Sequence, residues 1–374
     1  MDDGGGTVGV EEEFVLVDPR SGATAAAAPR VLQLLADEPG VMAEFLRFQV
    51  ETATGVCRSL SAVRAELTRL RRRVAEAAEH AGCVALATGV APFGAVSQVT
   101  ADPRYRTLAT WFPALVGEAG TCACHVHVGV PSRAAGVRVL ARLRPWLGAL
   151  LAISANSPYV DGLDSGWASA RYPLWSRWPT ARPPGEWRDV VAYDAAVGGA
   201  IRRGEAIDAR SVYFYARLSP RHPTVEVRIA DVCLDVDDAV LLAGLVRGLV
   251  VTALAEERRG APLPPVPDAL VERSLRAAAR YGLAGPGVDV LTGTLVASEG
   301  LVEDLLAYVR PALRATGDLE DVLAGWYALG SRGGGAEQQR ALRAVSGTPV
   351  EFVARLAAAT RGEDTSSTER KAAQ

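Results

Sequence analysis

The fold is decided by the stretch Val8-Gly9-Val10-Glu11-Glu12-Glu13-Phe14-Val15-Leu16-Val17, in which three consecutive glutamates interrupt an apolar β-strand pattern. Successive strand side chains point to opposite faces, so Glu11 and Glu13 share one face and Glu12 takes the other. Neighbouring buried carboxylates repel each other and lose solvation, so the pair requires a cation, usually a hard metal ion. The alternative is a strand that ends in water. Glu12, which faces away, is expected to be replaceable.

Length and composition narrow the class of protein. The chain has 374 residues, 49% hydrophobic residues and a net charge of −3, enough for a substantial core and without the basic charge typical of nucleic-acid binding. No basic-then-apolar signal segment opens the chain, and five irregularly spaced cysteines favour a reduced, cytoplasmic protein. The most apolar helix candidate, Ala239 to Ala255, carries Arg247 at its centre and is short for a membrane span, so we expect a buried helix.

The chain has a single lysine, Lys371, near its C-terminus. A P-loop needs a lysine on the phosphates, and pyridoxal phosphate needs one for its Schiff base. Neither chemistry is available in the folded body. Arginine, backbone or metal must therefore hold any phosphate or carboxylate.

Hydrophobic periodicity predicts an α+β domain, with strands concentrated in the first part and helices from Asp237 onward. We predict one domain over residues 1–360, a polar disordered tail over 361–374, and a long loop over 154–190. Further predicted strands are Phe45–Thr54, Cys83–Val90, Thr121–Val130, Val212–Ala216 and Thr224–Val232. Predicted helices include Val31–Leu35, one from Ser59 or Ser61 to Gly82, and Ser132–Ile153 with a kink at Pro145.

Two histidines stand out in the segment Cys122-Ala123-Cys124-His125-Val126-His127. His125 and His127 share one strand face, and Cys122 and Cys124 share the other, so a zinc site using all four would require the strand to break. The histidine pair suits a metal, a nucleotide phosphate or acid–base chemistry. The alternative is a hydrogen-bonded pair in the core.

Glu226 and Arg228 also share a strand face, either as a simple ion pair or as a metal ligand beside an anion-binding arginine. Glu51 is predicted to reach the sheet from its strand. Glu44 shares the face of Glu51 only if it precedes that strand or the strand bends; otherwise it is exposed.

The loop over 154–190 contains Asn156, the chain's one asparagine, which hints at a specific hydrogen-bonding task. It also contains Arg171, Trp175, Arg177 and Trp178, and arginines near tryptophans suit a planar or anionic ligand. A helix cap and a surface loop with stacked arginines are the alternative.

If the polar strands are neighbours in one sheet, their ligand-bearing faces converge. Four carboxylates and one imidazole favour two Mg²⁺ or Mn²⁺ ions over zinc, and Arg228 would face an anion held by those ions. Metals with arginine suffice for ATP-dependent phosphoryl transfer without a P-loop. The converging residues are Glu11, Glu13, Glu51, His125 and Glu226.

Five segments, in order, resemble the bacterial carboxylate–amine ligases of the YbdK type, also called type 2 glutamate–cysteine ligases. The resemblance runs from about residue 7 to residue 345. The segments are Val8–Phe14, Cys124–Val130, Ser154–Pro158, Thr224–Arg228 and Arg332–Arg340.

The resemblance implies a glutamine-synthetase-like fold, a curved and mostly antiparallel sheet with helices packed behind it. It implies ATP with two or three Mg²⁺ ions, or Mn²⁺, and phosphorylation of a carboxylate, usually the γ-carboxylate of glutamate. An amine such as L-cysteine then attacks the acyl phosphate. The implied partners are these small molecules, with neither nucleic acid nor membrane, and a homo-oligomer is the default expectation.

The family also implies roles for single residues, by analogy. One metal would be held by Glu11, His125 and Glu226, and the other by Glu13, Glu51 and Glu44. The catalytic residues would be Arg228 and Glu226, the nucleotide would contact His127, Arg228 and Asn156, and the substrate would contact Arg171, Glu51 and Trp175.

One departure from the family concerns the substrates. Val90 and Ala91 stand where the family usually has Thr-His, within Gly89-Val90-Ala91-Pro92-Phe93. The residues implied in phosphoryl transfer are unaffected by this departure, but it leaves the identity of the amine substrate undetermined. Two other functions compete with the ligase: a zinc-dependent hydrolase that uses His125 and His127, and a non-catalytic binding protein.

Overall fold

A seven-stranded antiparallel sheet forms the centre of the computed structural model, which describes residues 6–94, 96–117 and 120–363. The strand order is β2-β3-β1-β5-β9-β8, and β4 pairs with β1. Two short hairpins, β6–β7 and β10–β11, lie outside this sheet. The strands are β1 (Val8–Val17), β2 (Val41–Ala43), β3 (Gln49–Ala53), β4 (Val84–Leu86), β5 (Cys124–Gly129), β6 (Tyr159–Val160), β7 (Leu163–Asp164), β8 (Ala216–Leu218), β9 (Thr224–Val227), β10 (Pro286–Val288) and β11 (Leu295–Ala297).

Helices cover one face of the sheet, where α2, α5 and α9 contact its strands. Ser59 begins α2 as predicted, because its hydroxyl accepts a hydrogen bond from the Ala62 amide. The helices are α1 (Ala28–Leu34), α2 (Leu60–His80), α3 (Pro103–Trp111), α4 (Pro113–Val116), α5 (Arg133–Leu143), α6 (Leu147–Ser154), α7 (Arg171–Trp175), α8 (Val190–Arg202), α9 (Val236–Arg258), α10 (Asp268–Tyr281), α11 (Ser298–Thr316), α12 (Leu319–Arg332), α13 (Gly335–Ala344) and α14 (Pro349–Thr360).

Some predicted elements are confirmed and others are displaced. The predicted kink at Pro145 is a short 3₁₀ turn that separates α5 from α6. The strand predicted over Val212–Ala216 is wrong by several residues: β8 pairs with β9 over Ala216–Leu218, while the Tyr213 amide donates to Thr180 Oγ1 at 2.9 Å. The loop over 154–190 contains β6, β7 and α7. Residues 364–374, most of the predicted tail, lie outside the described residues.

Helix α9 is the buried helix that the sequence predicts. By length and composition it is the one helix in the described ranges that could cross a membrane, but 83% of its apolar window is buried inside the protein. Arg247 at its centre is paired with Asp318 at 3.0 Å and donates to the carbonyls of Gly6 and Arg58 at 2.6 and 3.0 Å. The buried charge is therefore neutralised and fully hydrogen-bonded.

Glu12 is a structural anchor, and the expectation that it is replaceable is wrong. It faces away from Glu11 and Glu13, as predicted, but Arg71 of α2 donates to its two oxygens at 2.9 and 2.5 Å. The remaining Arg71 hydrogen bonds reach the carbonyls of Leu234 at 2.8 Å, Cys233 at 2.8 Å and Thr360 at 3.4 Å. The pair therefore connects β1 with α2, with the segment after β9 and with the end of α14.

Glu12→Gln is expected to lower the free energy of unfolding by about 3–5 kcal/mol, because it leaves the buried Arg71 charge without a partner. Chemical denaturation followed by circular dichroism measures the loss. Glu76→Gln is the control, since Glu76 pairs with Arg73 at the surface at 3.3 Å and such pairs contribute about 0–1 kcal/mol. Equal stability of the two variants would contradict the anchoring role.

Candidate active site

The register of the sheet brings the predicted ligand residues together. Within antiparallel pairs, Glu13 lies opposite Glu51, Glu11 opposite His125, and His127 opposite Glu226. The prediction that these strands are neighbours is confirmed. Because strand side chains alternate, these groups project from one face into a cleft that holds about 970 Å³ of empty space, counted to its open mouth.

Glu11 lies at the centre of the polar cluster. Its Oε2 is 3.2 Å from His125 Nδ1, and its Oε1 is 3.3 Å from His127 Nε2. Burial raises the pKa of Glu11, but the hydrogen bonds and charges of the two imidazoles outweigh burial and hold this pKa well below its ordinary value. Burial, reinforced by the charge of Arg228, lowers the pKa of His125 to about 4. His125 is therefore neutral at pH 7, as a metal ligand must be.

Two groups of three side chains bring ligand atoms within 4.8 Å of one another. One group is Glu11, Glu51 and His125, and the other is Glu11, His127 and Glu226. Glu11 belongs to both. This grouping differs from the predicted division, since His127 joins Glu226, and Glu13 belongs to neither group.

The donor atoms fit hard divalent cations. His127 Nδ1 is hydrogen-bonded to Thr224 Oγ1 at 2.9 Å, which orients the ring so that the buried Nε2 faces Glu11 Oε1 at 3.3 Å. Carboxylate oxygens outnumber imidazoles, as Mg²⁺ and Mn²⁺ prefer. Cys124 points to the face of β5 opposite His125 and His127, where it is fully buried. The strand therefore does not assemble a four-ligand zinc site.

A second set of carboxylates, Glu13, Glu44 and Glu51, is crowded at one end of the cleft. Burial, followed by repulsion from Glu44, raises the pKa of Glu13 to about 8. Burial and then Glu44 also raise the pKa of Glu51, and burial raises that of Glu44. Glu44 thus lines the cleft rather than facing open solvent. A cation bound here would relieve the repulsion.

Two arginines hold Glu226. Arg217 of β8 donates from Nε and Nη2 at 2.9 and 3.0 Å, and Arg228 forms a second ion pair with the same carboxylate. Burial raises the pKa of Glu226, but the charges of Arg217 and Arg228 outweigh burial and lower it strongly. Arg217 is itself fixed, since it donates to the carbonyls of Arg210 and Val212 at 2.9 and 2.8 Å. Glu226 therefore forms the ion pair with Arg228 that the sequence suggested. It also lies in one of the two groups that could hold a metal ion.

Two predicted anion-binding arginines line the cleft with an unused donor each. Arg228 Nε is buried without a hydrogen-bond partner among the residues described, and so is Arg171 Nε. Arg171 donates from Nη1 and Nη2 to the carbonyls of Ile229 and Arg228 at 3.0 and 3.2 Å, and its guanidinium lies 5.6 Å from the centre of the Trp175 ring. The guanidiniums are thus held in place, and the Nε–H of each has no protein partner among the described residues.

Asn156 is not part of the cleft, and its predicted nucleotide contact is wrong. Its Nδ2 donates to the carbonyls of Ala87 and Val232 at 2.9 and 2.8 Å, and its Oδ1 accepts from Gln339 Nε2 at 2.7 Å. The side chain is 1% exposed. The single asparagine of the chain performs a specific hydrogen-bonding task, but within the core.

Several lining residues were missed because they lie outside the strand segments whose alternation assigned the polar face. Among those described, the side chains of Arg210 and Arg221 have no ion-pair partner, and His222 lies edge-on to His127 with ring centres 6.1 Å apart. None of these residues lies in a motif that the sequence analysis identified. The missed lining residues include Arg104, Tyr105, Arg210, Tyr213, Arg217, Arg221 and His222.

An apolar groove adjoins the cleft at the end of the sheet where β1 begins. It shares Glu11, His127 and His222 with the cleft, so the two spaces are continuous. Its other lining residues are mostly apolar or glycine, and they include Val8, Val10, Val56, Gly129, Val130 and Pro223.

Comparison with known proteins identifies related chains. Residues 7–369 match the family model described as "Glutamate-cysteine ligase family 2(GCS2)". The "Putative glutamate--cysteine ligase 2-2" of Frankia alni is 44% identical over 358 residues, covering 91% of this chain and 93% of that protein. The "Putative glutamate--cysteine ligase 2-1" of Saccharopolyspora erythraea is 43% identical over 336 residues, covering 89% of each.

Solved structures support the fold. The glutamate–cysteine ligase of Francisella tularensis, in complex with AMP, matches with a TM-score of 0.70 and 14% identity, covering 96% of this chain and 89% of that one. A bifunctional glutathione synthetase from Pasteurella multocida matches with a TM-score of 0.64 and 14% identity, covering 95% of this chain and 52% of that one. The predicted α+β, glutamine-synthetase-like fold is confirmed.

Because Glu11 belongs to both ligand groups, Glu11→Gln is expected to remove more bound Mn²⁺ than Glu51→Gln or Glu226→Gln, each of which disturbs one group. Electron paramagnetic resonance of the free ion during a Mn²⁺ titration measures the bound fraction. Glu66→Gln, on the surface of α2, is the control. Equal losses in the Glu11 and Glu226 variants would contradict the shared position of Glu11.

Proposed function

The chain belongs to glutamate–cysteine ligase family 2, and from this premise we propose that it joins the γ-carboxylate of L-glutamate to an amine. The family makes it an ATP-dependent ligase. The observation that carries the proposal is a cleft in which carboxylates and imidazoles that fit divalent ions adjoin two arginines with free N–H groups. This combination suits the transfer of a phosphoryl group to a carboxylate.

The nucleotide is proposed to lie across the cleft and the groove. The base would occupy the apolar groove near Gly129 and Val130, which offers the flat apolar surface that a purine needs. The phosphates would then run past Glu11, His127 and Glu226 into the cleft, since these spaces are continuous. Arg221, in the turn between β8 and β9, lines the cleft and is proposed to contact the phosphates.

The divalent ions, proposed as Mg²⁺, would be held by the two ligand groups that share Glu11. When bound, they reduce the charge repulsion between the nucleotide phosphates and the attacking carboxylate.

The reaction divides into two displacements. A γ-carboxylate oxygen of glutamate forms a bond to the terminal phosphorus, and the bond from that phosphorus to the ADP oxygen breaks. The amine nitrogen then attacks the carbonyl carbon, phosphate leaves, and the nitrogen loses a proton. Arg228, whose guanidinium is fixed by Glu226, stabilises charge on the transferred phosphoryl group. Arg171 is proposed to bind a substrate carboxylate through its free Nε–H.

The test is ADP release that requires Mg²⁺ and glutamate together with an amine. Arg228→Gln is expected to lower kcat by about 10²–10³-fold, because it removes a preorganised donor at the developing charge. Arg133→Gln, which breaks an exposed pair with Asp194, is the matched control and should retain full activity.

Two outcomes would contradict the proposal. Equal activity of the Arg228 and Arg133 variants would exclude the role of Arg228. Stoichiometric zinc with ATP-independent turnover would instead support a hydrolase that uses His125 and His127.

A further inference from the structure

A buried aspartate, Asp231, lies just after β9 and does not itself line the cleft. Its backbone bridges to Ala123, at the entry to β5. Its carboxylate accepts three hydrogen bonds: Oδ2 from the Asn156 amide at 3.0 Å and from the Ser157 hydroxyl at 2.6 Å, and Oδ1 from the Ser169 hydroxyl at 2.8 Å. Asp231 therefore gathers the two ends of the segment that leads into α7.

Both hydroxyls that donate to Asp231 also accept from the first turn of α7. Ser157 Oγ accepts from the Arg171 amide at 3.1 Å, and Ser169 Oγ accepts from the Tyr172 amide at 3.3 Å. The first N–H groups of a helix have no partner within the helix, so these two contacts fix the start of α7. The backbone of Arg171 is thereby connected to the carboxylate of Asp231.

The side chain of Arg171 is held by the same short segment, residues 228–231. Nη1 lies 3.8 Å from Asp231 Oδ1 and donates to the carbonyl of Ile229 at 3.0 Å, and Nη2 donates to the carbonyl of Arg228 at 3.2 Å. Arg171 lines the cleft, and its Nε has no hydrogen-bond partner among the described residues. One edge of the guanidinium is therefore fixed, while Nε–H stays available.

The carboxylate of Asp231 has little room to move. A Cβ placed on Gly89 would lie 2.7 Å from Cγ and Oδ2 of Asp231, so the backbone of Gly89 packs directly against the carboxylate. The Gly89 amide donates to the carbonyl of Asn156 at 3.0 Å, and Gln339 of α13 donates to Asn156 Oδ1 at 2.7 Å. Asp231 thus belongs to a buried hydrogen-bond network that extends from α13 to α7.

We propose that Asp231 is a positioning residue for Arg171. Through Ser157, Ser169 and the guanidinium itself, it holds Arg171 so that Nε–H is available to a carboxylate of the acid substrate. This inference rests on the proposed ligase function. Because Asp231 acts through Arg171, its loss weakens recognition of the acid and spares the nucleotide.

The experiment uses the full chain with ATP, Mg²⁺, glutamate and hydroxylamine, which traps an acyl phosphate as the hydroxamate whatever the natural amine is. Asp231→Asn keeps the shape of the side chain but turns one acceptor oxygen into a donor. It is expected to lower kcat/KM for glutamate at least about tenfold and to change KM for ATP less than about twofold, because a misplaced guanidinium loses its bond to the substrate.

Asp318→Asn is the matched control. Asp318 is also buried and accepts from Arg247 at 3.0 and 3.1 Å, but it does not line the cleft and belongs to the core beside α9. Its variant is expected to lose stability in chemical denaturation and to keep kcat/KM for glutamate within about twofold of the wild type. Equal losses of kcat/KM in the Asp231 and Asp318 variants would overturn the inference.

A double-mutant cycle separates positioning from a general structural role. Arg171→Met removes the guanidinium, so adding Asp231→Asn to this variant is expected to change kcat/KM for glutamate less than about twofold. A loss of the same size with and without Arg171 would overturn the inference.

Ser157→Ala keeps the inference testable if Asp231→Asn does not fold. It removes the hydroxyl between Asp231 and the Arg171 amide and leaves both of those residues in place. It is expected to lower kcat/KM for glutamate at least about threefold, and to have no further effect in the Arg171→Met background. In that case, an unchanged kcat/KM in Ser157→Ala would overturn the inference.

The wild type separates this inference from the function on which it rests. Hydroxamate formation without coupling between Asp231 and Arg171 would overturn the positioning role and leave the ligase reaction standing. Absence of hydroxamate with glutamate would overturn the proposed function, and the positioning role with it.

Discussion

The buried ion pair between Glu12 and Arg71 is the constraint on which the cleft depends. Strand alternation means that any residue which fixes the inward face of β1 also fixes its outward face, because a slip of one residue would exchange the two. With Glu12 held at 2.9 and 2.5 Å by a fully buried guanidinium, Glu11 and Glu13 have one available direction. The helices behind the sheet thus determine which carboxylates enter the cleft in front of it.

The cleft divides into two electrostatic halves. Imidazoles and arginines keep Glu11 and Glu226 ionised, whereas Glu13, Glu44 and Glu51 crowd together with raised pKa values. Cations that bind in the second half must displace protons, so ion binding there is linked to pH more strongly than in the first half. A ligand that adds or removes positive charge will therefore change the protonation of Glu13, Glu44 and Glu51 more than that of Glu11 and Glu226.

The site residues that could be predicted from the sequence are those on strands, where side chains alternate between the two faces. Glu11, His125 and Glu226 could be placed from sequence because a period of two residues assigns faces without knowledge of tertiary structure. Arg104, Tyr105 and Tyr213 could not, since they come from α3 and from the segment before β8, whose positions depend on packing. Asn156 shows the opposite failure: its rarity indicated a specific task, but composition cannot distinguish a core hydrogen bond from a ligand contact.

The absence of lysine from the described residues has a chemical consequence for a ligase of this kind. An acyl phosphate is an acylating agent, and neutral amines are the side-chain nucleophiles that it modifies most readily. The cleft is instead lined by guanidiniums, which stay protonated at pH 7 and are poor nucleophiles. With Lys371 as the only side-chain amine in the sequence, the acyl phosphate proposed above would find no lysine to acylate among the described residues.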